Sequence, residues 1–368
     1  MLNITKMEDW GLGLQKKLVI AGPCSAETPE QITKIAQEMA DGYTPDVFRA
    51  GIWKPRTRPG NFEGVGKEGL GWMEIVKDIL DIPVTVEVAN AKHVEEALAA
   101  NIDILWIGAR TSVNPFSVQE ICDALQGVDI PVMVKNPINP DLALWKGALE
   151  RFNKVGITKL AAIHRGFSSV VKSKYRNNPE WDYALKLKEE LPGLPIICDP
   201  SHIGGTRELI SDLSQKAYNL GLDGLMIETH HDPDAAWSDA KQQITPARLK
   251  EIINGLVVKS SIQNHPELVN ELDQLRDIVD HLDMEILELL EQRFSTIEAI
   301  GEYKGRNKLT VFQRDRWEKV TNERIKLGMS KNMSEKFMKD FLNAIHAESL
   351  RKQEHKIKEQ ETTSVKAS

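Results

Sequence analysis

Cysteine is scarce: 368 residues hold only Cys24, Cys122 and Cys198. Three widely spaced cysteines do not build a secreted disulfide framework, and they favour a reducing cytoplasm. Long apolar runs are missing too, since no stretch approaches the ~18 consecutive apolar residues of a membrane span. The opening MLNITKMEDW carries acidic residues and no apolar core, which argues against a signal peptide. Nor is positive charge in excess: 47 Lys and Arg against 54 Asp and Glu leave a net charge of −7. Nucleic acid is therefore excluded as a partner, and neither a membrane nor a secreted setting is expected. Any local cluster of cations in such a chain needs its own explanation.

What is present changes period along the chain. From about residue 16 to 256, short apolar runs alternate with amphipathic stretches. Eight runs read as strands: KLVIAG, VFRAG, VTVEV, ILWIGA, VMVKN, LAAIHRG, IICDPS and LMIETH. Between them, helical spacing covers 29–40, 67–80, 92–100, 115–126, 142–155, 180–190, 206–220 and 245–254. Eight βα units in about 240 residues fit a (β/α)8 TIM barrel with strands buried on both faces. A doubly wound open sheet is the alternative, but no GxGxxG follows the first strand. Beyond NGLVVKSSIQNHPE the pattern becomes purely helical, with Leu268, Leu272, Leu275, Val279, Leu282, Ile286 and Leu289 at helical spacing. The expectation is an α/β barrel over 1–256, a linker over 257–267, an all-α domain over 268–355 and a frayed polar tail over 356–368.

Barrel chemistry gathers at the C-terminal ends of the strands. Read in order, those ends give Cys24; Arg49 with Lys54 and Arg56; Glu87; Arg110; Lys135; Arg165; His202; Glu228. One charged residue at a strand end is usually a solvated surface group; eight on one rim are a site. Cys24 alone reads equally as a nucleophile, a metal ligand or an inert small residue. Together with His202, Glu228 and the loop carboxylate Asp239, it forms a set suited to Mn²⁺, Fe²⁺, Co²⁺ or Zn²⁺. His230 falls on the same strand face as Glu228 and is a second candidate ligand. Arg49, Lys54, Arg56, Arg110, Lys135 and Arg165 imply a small, strongly anionic substrate bearing more than one phosphate.

The runs AGPCSAE, FRAGIWKPRTRPGNFEG, IGARTSVNPF, VMVKN, HRGF, DPSHIGG and LMIETHHDPDAAWSDAKQQ resemble the compact bacterial subgroup of 3-deoxy-D-arabino-heptulosonate 7-phosphate (DAHP) synthase. The related synthase of the eight-carbon lipopolysaccharide sugar lacks KPRT and is the runner-up. The resemblance implies condensation of phosphoenolpyruvate with erythrose 4-phosphate on a divalent metal, with Mn²⁺ favoured. It implies that Cys24, His202, Glu228 and Asp239 hold the metal, so that Cys24 is a ligand. It also implies that Arg49, Lys54, Arg110, Lys135 and Arg165 clamp phosphoenolpyruvate, while Arg56 and Thr57 grip the sugar phosphate. Lys54 and Glu87 are the expected proton-handling residues, giving Cys24, Lys54, Glu87 and His202 as the catalytic group.

Residues 268–355 resemble the all-helical chorismate mutase through LRDIVDHLDMEILELLEQR, EYK, QRDRW and SLRKQ. The resemblance implies rearrangement of chorismate to prephenate at Arg276, Arg293, Lys304, Gln313, Arg316, Ser349 and Gln353. Trp317 departs from it: the family often carries Glu there, accepting a hydrogen bond from the substrate hydroxyl, and Gln313 offers a substitute. A non-catalytic helical domain that binds a feedback ligand is the alternative. Arg276 and Arg293 lie 17 positions apart on one expected helix, ~25 Å at 1.5 Å per residue, farther than a small substrate spans. A homodimer with sites shared between subunits follows from that spacing.

Overall fold

The computed structural model describes residues 2–55, 60, 62–169, 173–258 and 266–367. The chain divides into two compact units, Met1–Lys259 and Ser260–Ser368. Residues 259–265 of the expected linker lie outside the described residues.

In the first unit eight strands close a parallel barrel in sequence order. They are β1 (Leu18–Gly22), β2 (Val47–Ala50), β3 (Val84–Val88), β4 (Ile104–Ile107), β5 (Val132–Lys135), β6 (Leu160–His164), β7 (Ile196–Cys198) and β8 (Gly224–Glu228). Six helices follow the first six strands: α1 (Pro29–Asp41), α2 (Glu68–Leu80), α3 (Ala91–Ala99), α4 (Pro115–Ala124), α5 (Leu142–Lys154) and α6 (Trp181–Glu190). A one-turn helix α7 (Pro200–Gly204) precedes α8 (Ile210–Asn219), and α9 (Pro246–Gly255) ends the unit. Several starts are written in the sequence. Thr28, Asn90, Asn114, Asp141, Asp199 and Thr245 each accept a hydrogen bond from a first-turn amide. The sequence does not foretell α7, which is too short to show a period.

Strand alternation sorts the barrel residues into two sets. Phe48, Val86, Leu105, Val134, Ala162, Ile196 and Ile227 pack outward against the helices. Leu18, Ile20, Val47, Ile104, Trp106, Met133, Ile163, Ile197 and Met226 fill the interior, where Met7, Trp10 and Leu14 join them. Two residues farther along, the same inward series reaches Gly22, Arg49, Glu87, Gly108, Lys135, Arg165, Asp199 and Glu228. Both glycines in this layer leave room for a close neighbour. A Cβ on Gly22 would lie 2.1 Å from the Arg49 carbonyl oxygen, and one on Gly108 would lie 1.9 Å from a Glu87 carboxylate oxygen.

The second unit consists of α10 (Pro266–Arg306), α11 (Arg314–Ser330) and α12 (Glu335–Ala367). Gly301 sets the approach of α10 to α12, because a Cβ there would lie 2.9 Å from the Gln353 Cα. Helix α12 continues to Ala367, where the sequence reading has a frayed tail from 356. Lys356–Glu359 and His355–Glu359 pairs hold the helical spacing through that stretch. On α10, Leu275, Ile278, Val279, Leu282, Ile286, Leu287 and Leu289 are all exposed within the single chain.

Candidate active sites

The barrel site starts from Asp199, at the position after β7. Its carboxylate is fully buried and accepts from the Lys135 ammonium at 2.8 Å and from the His202 amide at 3.0 Å. His202 Nδ1 lies 2.8 Å from the same carboxylate. Burial alone would raise the Asp199 pKa, but His202 and Lys135 hold it well below the ordinary carboxylate range. The pairing turns His202 Nε2 toward Glu228 Oε1, 3.8 Å away. Burial outweighs Asp199 at His202 and lowers its pKa, so the imidazole is neutral, the form that ligates metals.

Glu228 is fully buried, with Oε2 accepting from Gln242 Nε2 at 2.6 Å. Its Oε1 has no hydrogen-bond partner and lies 3.5 Å from an Arg49 nitrogen. Burial raises its pKa, and His202, Arg49 and Lys54 together more than reverse that. Across the site, the Cys24 thiol lies 3.4 Å from Asp239 Oδ2 and 2.7 Å from Lys54 Nζ. Burial, reinforced by the Glu228 charge, pushes this thiol up to about 12. Asp239 Oδ1 accepts from Arg176 at 3.1 Å, and Gln243 Oε1 accepts from the Cys24 amide at 2.9 Å.

Among the described residues, no three His, Cys, Asp or Glu side chains converge as a group able to hold a metal ion. The expected ligands form two pairs instead, Cys24 with Asp239 and His202 with Glu228. The donor set nonetheless fits a borderline divalent cation. Two donors ~2.0–2.3 Å from a tetrahedral ion lie roughly 3.3–3.8 Å apart, the spacing within each pair. The orphaned Glu228 Oε1 and the carboxylate-backed imidazole are further features of a ligand set. His230 is not part of it: its Nδ1 accepts from the Asp232 amide, and its Nε2 faces Glu27 at 3.7 Å. Strand alternation puts it on the right face, but Glu27 from the β1–α1 loop takes the contact.

Two of the cations stand over one aromatic floor. Trp106 is fully buried, with Arg49 4.8 Å and Lys135 6.0 Å above its ring. Its Nε1 donates to Glu87 Oε2 at 3.2 Å. Arg49 is only 2 % exposed, and its Nε and one terminal nitrogen have no hydrogen-bond partner. Arg165 donates to Asn177 Oδ1 at 2.9 Å. Burial lowers its pKa to about 10, with Arg176 and Arg110 adding to the shift against Asp199. Such crowding of cations favours an incoming anion. Arg110 is exposed, while Arg56 and Thr57 lie outside the described residues. Sequence reasoning missed Asp199, Trp106, Arg176 and Gln242. The first two were findable by extending the inward alternation of β7 and β4; the other two act from loops without a period.

In the helical unit, Arg293 donates to Ser349 Oγ at 2.8 Å, joining α10 to α12. Lys304 is buried and donates to the Val311 carbonyl. Gln353, on the same face of α12 as Ser349, is buried with its Oε1 unpaired. Gln313 and Arg316, at the start of α11, are exposed, as is Arg276. Arg276 and Arg293 stand on one unbroken helix. Their separation along it excludes a common site within one chain.

Two family models match the chain: the DAHP synthetase I family over residues 2–262 and chorismate mutase type II over 275–354. Phospho-2-dehydro-3-deoxyheptonate aldolase of Thermotoga maritima is 31% identical over 235 residues, covering 64% of this chain and 67% of that protein. 2-Dehydro-3-deoxyphosphooctonate aldolase of Legionella pneumophila is 28% identical over 264 residues, covering 66% of this chain and 92% of that protein. Among solved structures, the crystal structure of the Thermotoga maritima DAHP synthase matches with a TM-score of 0.60 at 28% identity, covering 68% of this chain and 71% of that one. A truncated form from the same organism matches with a TM-score of 0.56 at 26% identity, covering 71% and 89%.

The Asp199–Lys135 pair gives a stability prediction. Lys135→Met should destabilise the barrel by about 3–5 kcal/mol, because one buried partner loses the other. Adding Asp199→Asn to that variant should recover part of the loss. Urea unfolding of the two single variants and the double variant measures the coupling.

Proposed function

Because the chain belongs to the DAHP synthetase I family and carries a chorismate mutase type II domain, we propose a bifunctional enzyme. Its barrel condenses phosphoenolpyruvate with D-erythrose 4-phosphate and water to give DAHP and phosphate. Its helical unit converts chorismate to prephenate. The observation carrying the first activity is the junction, at one barrel end, of a Cys24–Asp239 and His202–Glu228 donor set with a bed of buried cations. The eight-carbon reaction of the Legionella relative is the second reading for the barrel. The DAHP family model and the 31% identical heptonate relative favour the seven-carbon product.

Cys24, His202, Glu228 and Asp239 would hold a divalent ion, with Mn²⁺ favoured, and the ion would supply Lewis acidity to the sugar aldehyde. Arg165 and Lys135, joined by Arg49 and Arg110, would bind the phosphate and carboxylate of phosphoenolpyruvate and neutralise its charge. That clamp would orient the enol carbon toward the aldehyde carbon. Attack forms the carbon–carbon bond and leaves positive character on the neighbouring carbon; water adds there and phosphate departs. Lys54, whose Nζ lies beside Cys24, would hold a proton near the new hydroxyl. Glu87, which accepts from the Trp106 indole, would take one from the adding water. Arg56 and Thr57 would take the sugar phosphate.

In the helical unit the reaction is a pericyclic shift, so the site need only fix a folded dianion. Arg293 and Arg316 suit the carboxylates; Lys304 and Gln353 suit the ether oxygen. The arginine that α10 cannot bring from its own chain, Arg276, would come from an antiparallel copy in a homodimer. The exposed leucine-rich stripe of α10 would be the seam. Joining the first step of a pathway to a branch step beyond its end product makes sense if mutase occupancy restrains the synthase. The alternative, a helical unit that only binds the regulatory ligand and dimerises, predicts no chorismate turnover. Three free, buried cysteines suit a cytoplasmic enzyme.

Three outcomes test these readings. Exhaustive chelation should abolish DAHP formation, Mn²⁺ should restore it, and Cys24→Ala should lose bound metal while still consuming chorismate. Full synthase activity after chelation would refute the ligand set. Refolding Arg276→Ala with Arg293→Ala chains should recover mutase activity that neither variant shows alone; a verified hybrid with none would rule out shared sites. Saturating prephenate should inhibit the synthase, and deleting residues 260–368 should remove that inhibition.

A further inference from the structure

One side chain in the helical site is in neither the sequence reading nor the mechanism above. His346 lies on α12 one turn before Ser349 and two before Gln353, so the three share a face. Its ring stacks on the Trp317 indole, with centroids 3.7 Å apart and planes 13° apart. Phe312 lies on another side, 5.7 Å from the imidazole. His346 Nε2 is buried without a hydrogen-bond partner, beside Arg293, which bonds Ser349. His346 is only partly buried, but its Nε2 is shielded from solvent and makes no hydrogen bond, a bond that a ligand could supply.

The chemistry of that partner follows from the neighbours. Arg293, Lys304 and Arg316 already offer charge to carboxylates. Burial and the Arg293 charge push the His346 pKa down, so the imidazole is neutral and suits a neutral polar group. Chorismate and prephenate each carry one such group, the ring hydroxyl. A hydroxyl can donate to one imidazole tautomer or accept from the other. Trp317 cannot accept a hydrogen bond, since its indole only donates, but it holds the imidazole plane and offers an apolar face to the six-membered carbon ring.

We propose that His346 Nε2, held by the Trp317 stack, makes the hydrogen bond to the substrate's ring hydroxyl and determines specificity for hydroxylated ring dicarboxylates. This task falls to Gln313 in the sequence reading, yet Gln313 is exposed at the N-cap of α11. The proposal rests on the mutase reading of this unit.

The test compares chorismate with its 4-deoxy analogue, which keeps both carboxylates and the enol ether and lacks the hydroxyl. On the full chain, His346→Leu should lower kcat/KM for chorismate roughly 10-fold or more and change that for the deoxy analogue by less than about 3-fold. His346→Gln, which restores a donor and an acceptor, should recover part of the loss. Trp317→Leu should weaken both compounds. Equal losses on the two compounds in His346→Leu, or no loss on either, would overturn the proposal. DAHP synthase activity and helical content measure folding of each variant; if His346→Leu does not fold, His346→Gln and His346→Asn are held to the same comparison. A wild-type chain that leaves chorismate unreacted would refute the mutase reading itself. In that case calorimetric affinities for the two compounds still decide whether His346 reads the hydroxyl.

Discussion

A single buried carboxylate organises the barrel site. Asp199 accepts from the Lys135 ammonium and the His202 amide and faces the His202 ring at 2.8 Å, so it ties a cation of the proposed anion clamp to a proposed metal ligand. Such a group is stable in the interior only while its partners stay in place. Burial favours the neutral acid, and the His202 and Lys135 side chains reverse that preference. Lys135 is equally dependent, being 4 % exposed and facing one carboxylate and one indole. The two halves of the proposed chemistry therefore share one structural element, and damage to it would be felt in both.

The same dependence extends around the rim. A closed parallel barrel sends alternate residues inward, and near the strand ends that series becomes charged. Arg49, Lys135, Arg165, Glu87, Asp199 and Glu228 lie above a layer that is otherwise apolar. Trp106 is the transition between the two layers, with its ring under Arg49 and Lys135 and its N–H on Glu87. Space is made by deletion as well. Gly22 and Gly108 occupy inward positions where any side chain would displace the Arg49 backbone or the Glu87 carboxylate. The strands themselves supply Arg49, Glu87, Lys135 and Glu228 on rigid elements, while Cys24, Lys54, His202 and Asp239 come from the segments that follow strand ends.

Much of this was legible in the sequence because period 2 is easy to read where both flanks are apolar. The eight strands, their order and five of the eight inward rim residues (Arg49, Glu87, Lys135, Arg165 and Glu228) follow from it directly. Asp199 sits one residue past the last residue of β7, yet the period-2 count from Ile197 puts it inside. His230 shows the opposite failure: its strand face is right, but a loop residue far away in sequence, Glu27, takes its contact. Arg176 and Gln242 bind Asp239 and Glu228 from irregular segments, where no spacing rule operates. In the helical unit the cations were readable from their motifs. His346 was not, because its partner Trp317 is 29 residues away on another helix.

The two units solve the assembly of a site in different ways. The barrel brings its proposed catalytic residues together at one end of a single closed sheet. Helix α10 cannot do the same, since it is unbroken from Pro266 to Arg306 and keeps Arg276 and Arg293 apart along its axis. It also leaves its leucine stripe in water, each buried side chain of that size being worth about 1.5–3 kcal/mol if covered. One event, pairing with a second α10, would cover the stripe and complete the site. Apolar burial and site assembly would then be coupled, and the integrity of the helical site would depend on protein concentration. A helical site completed by a second copy would give the chain a physical means of making that site sensitive to assembly.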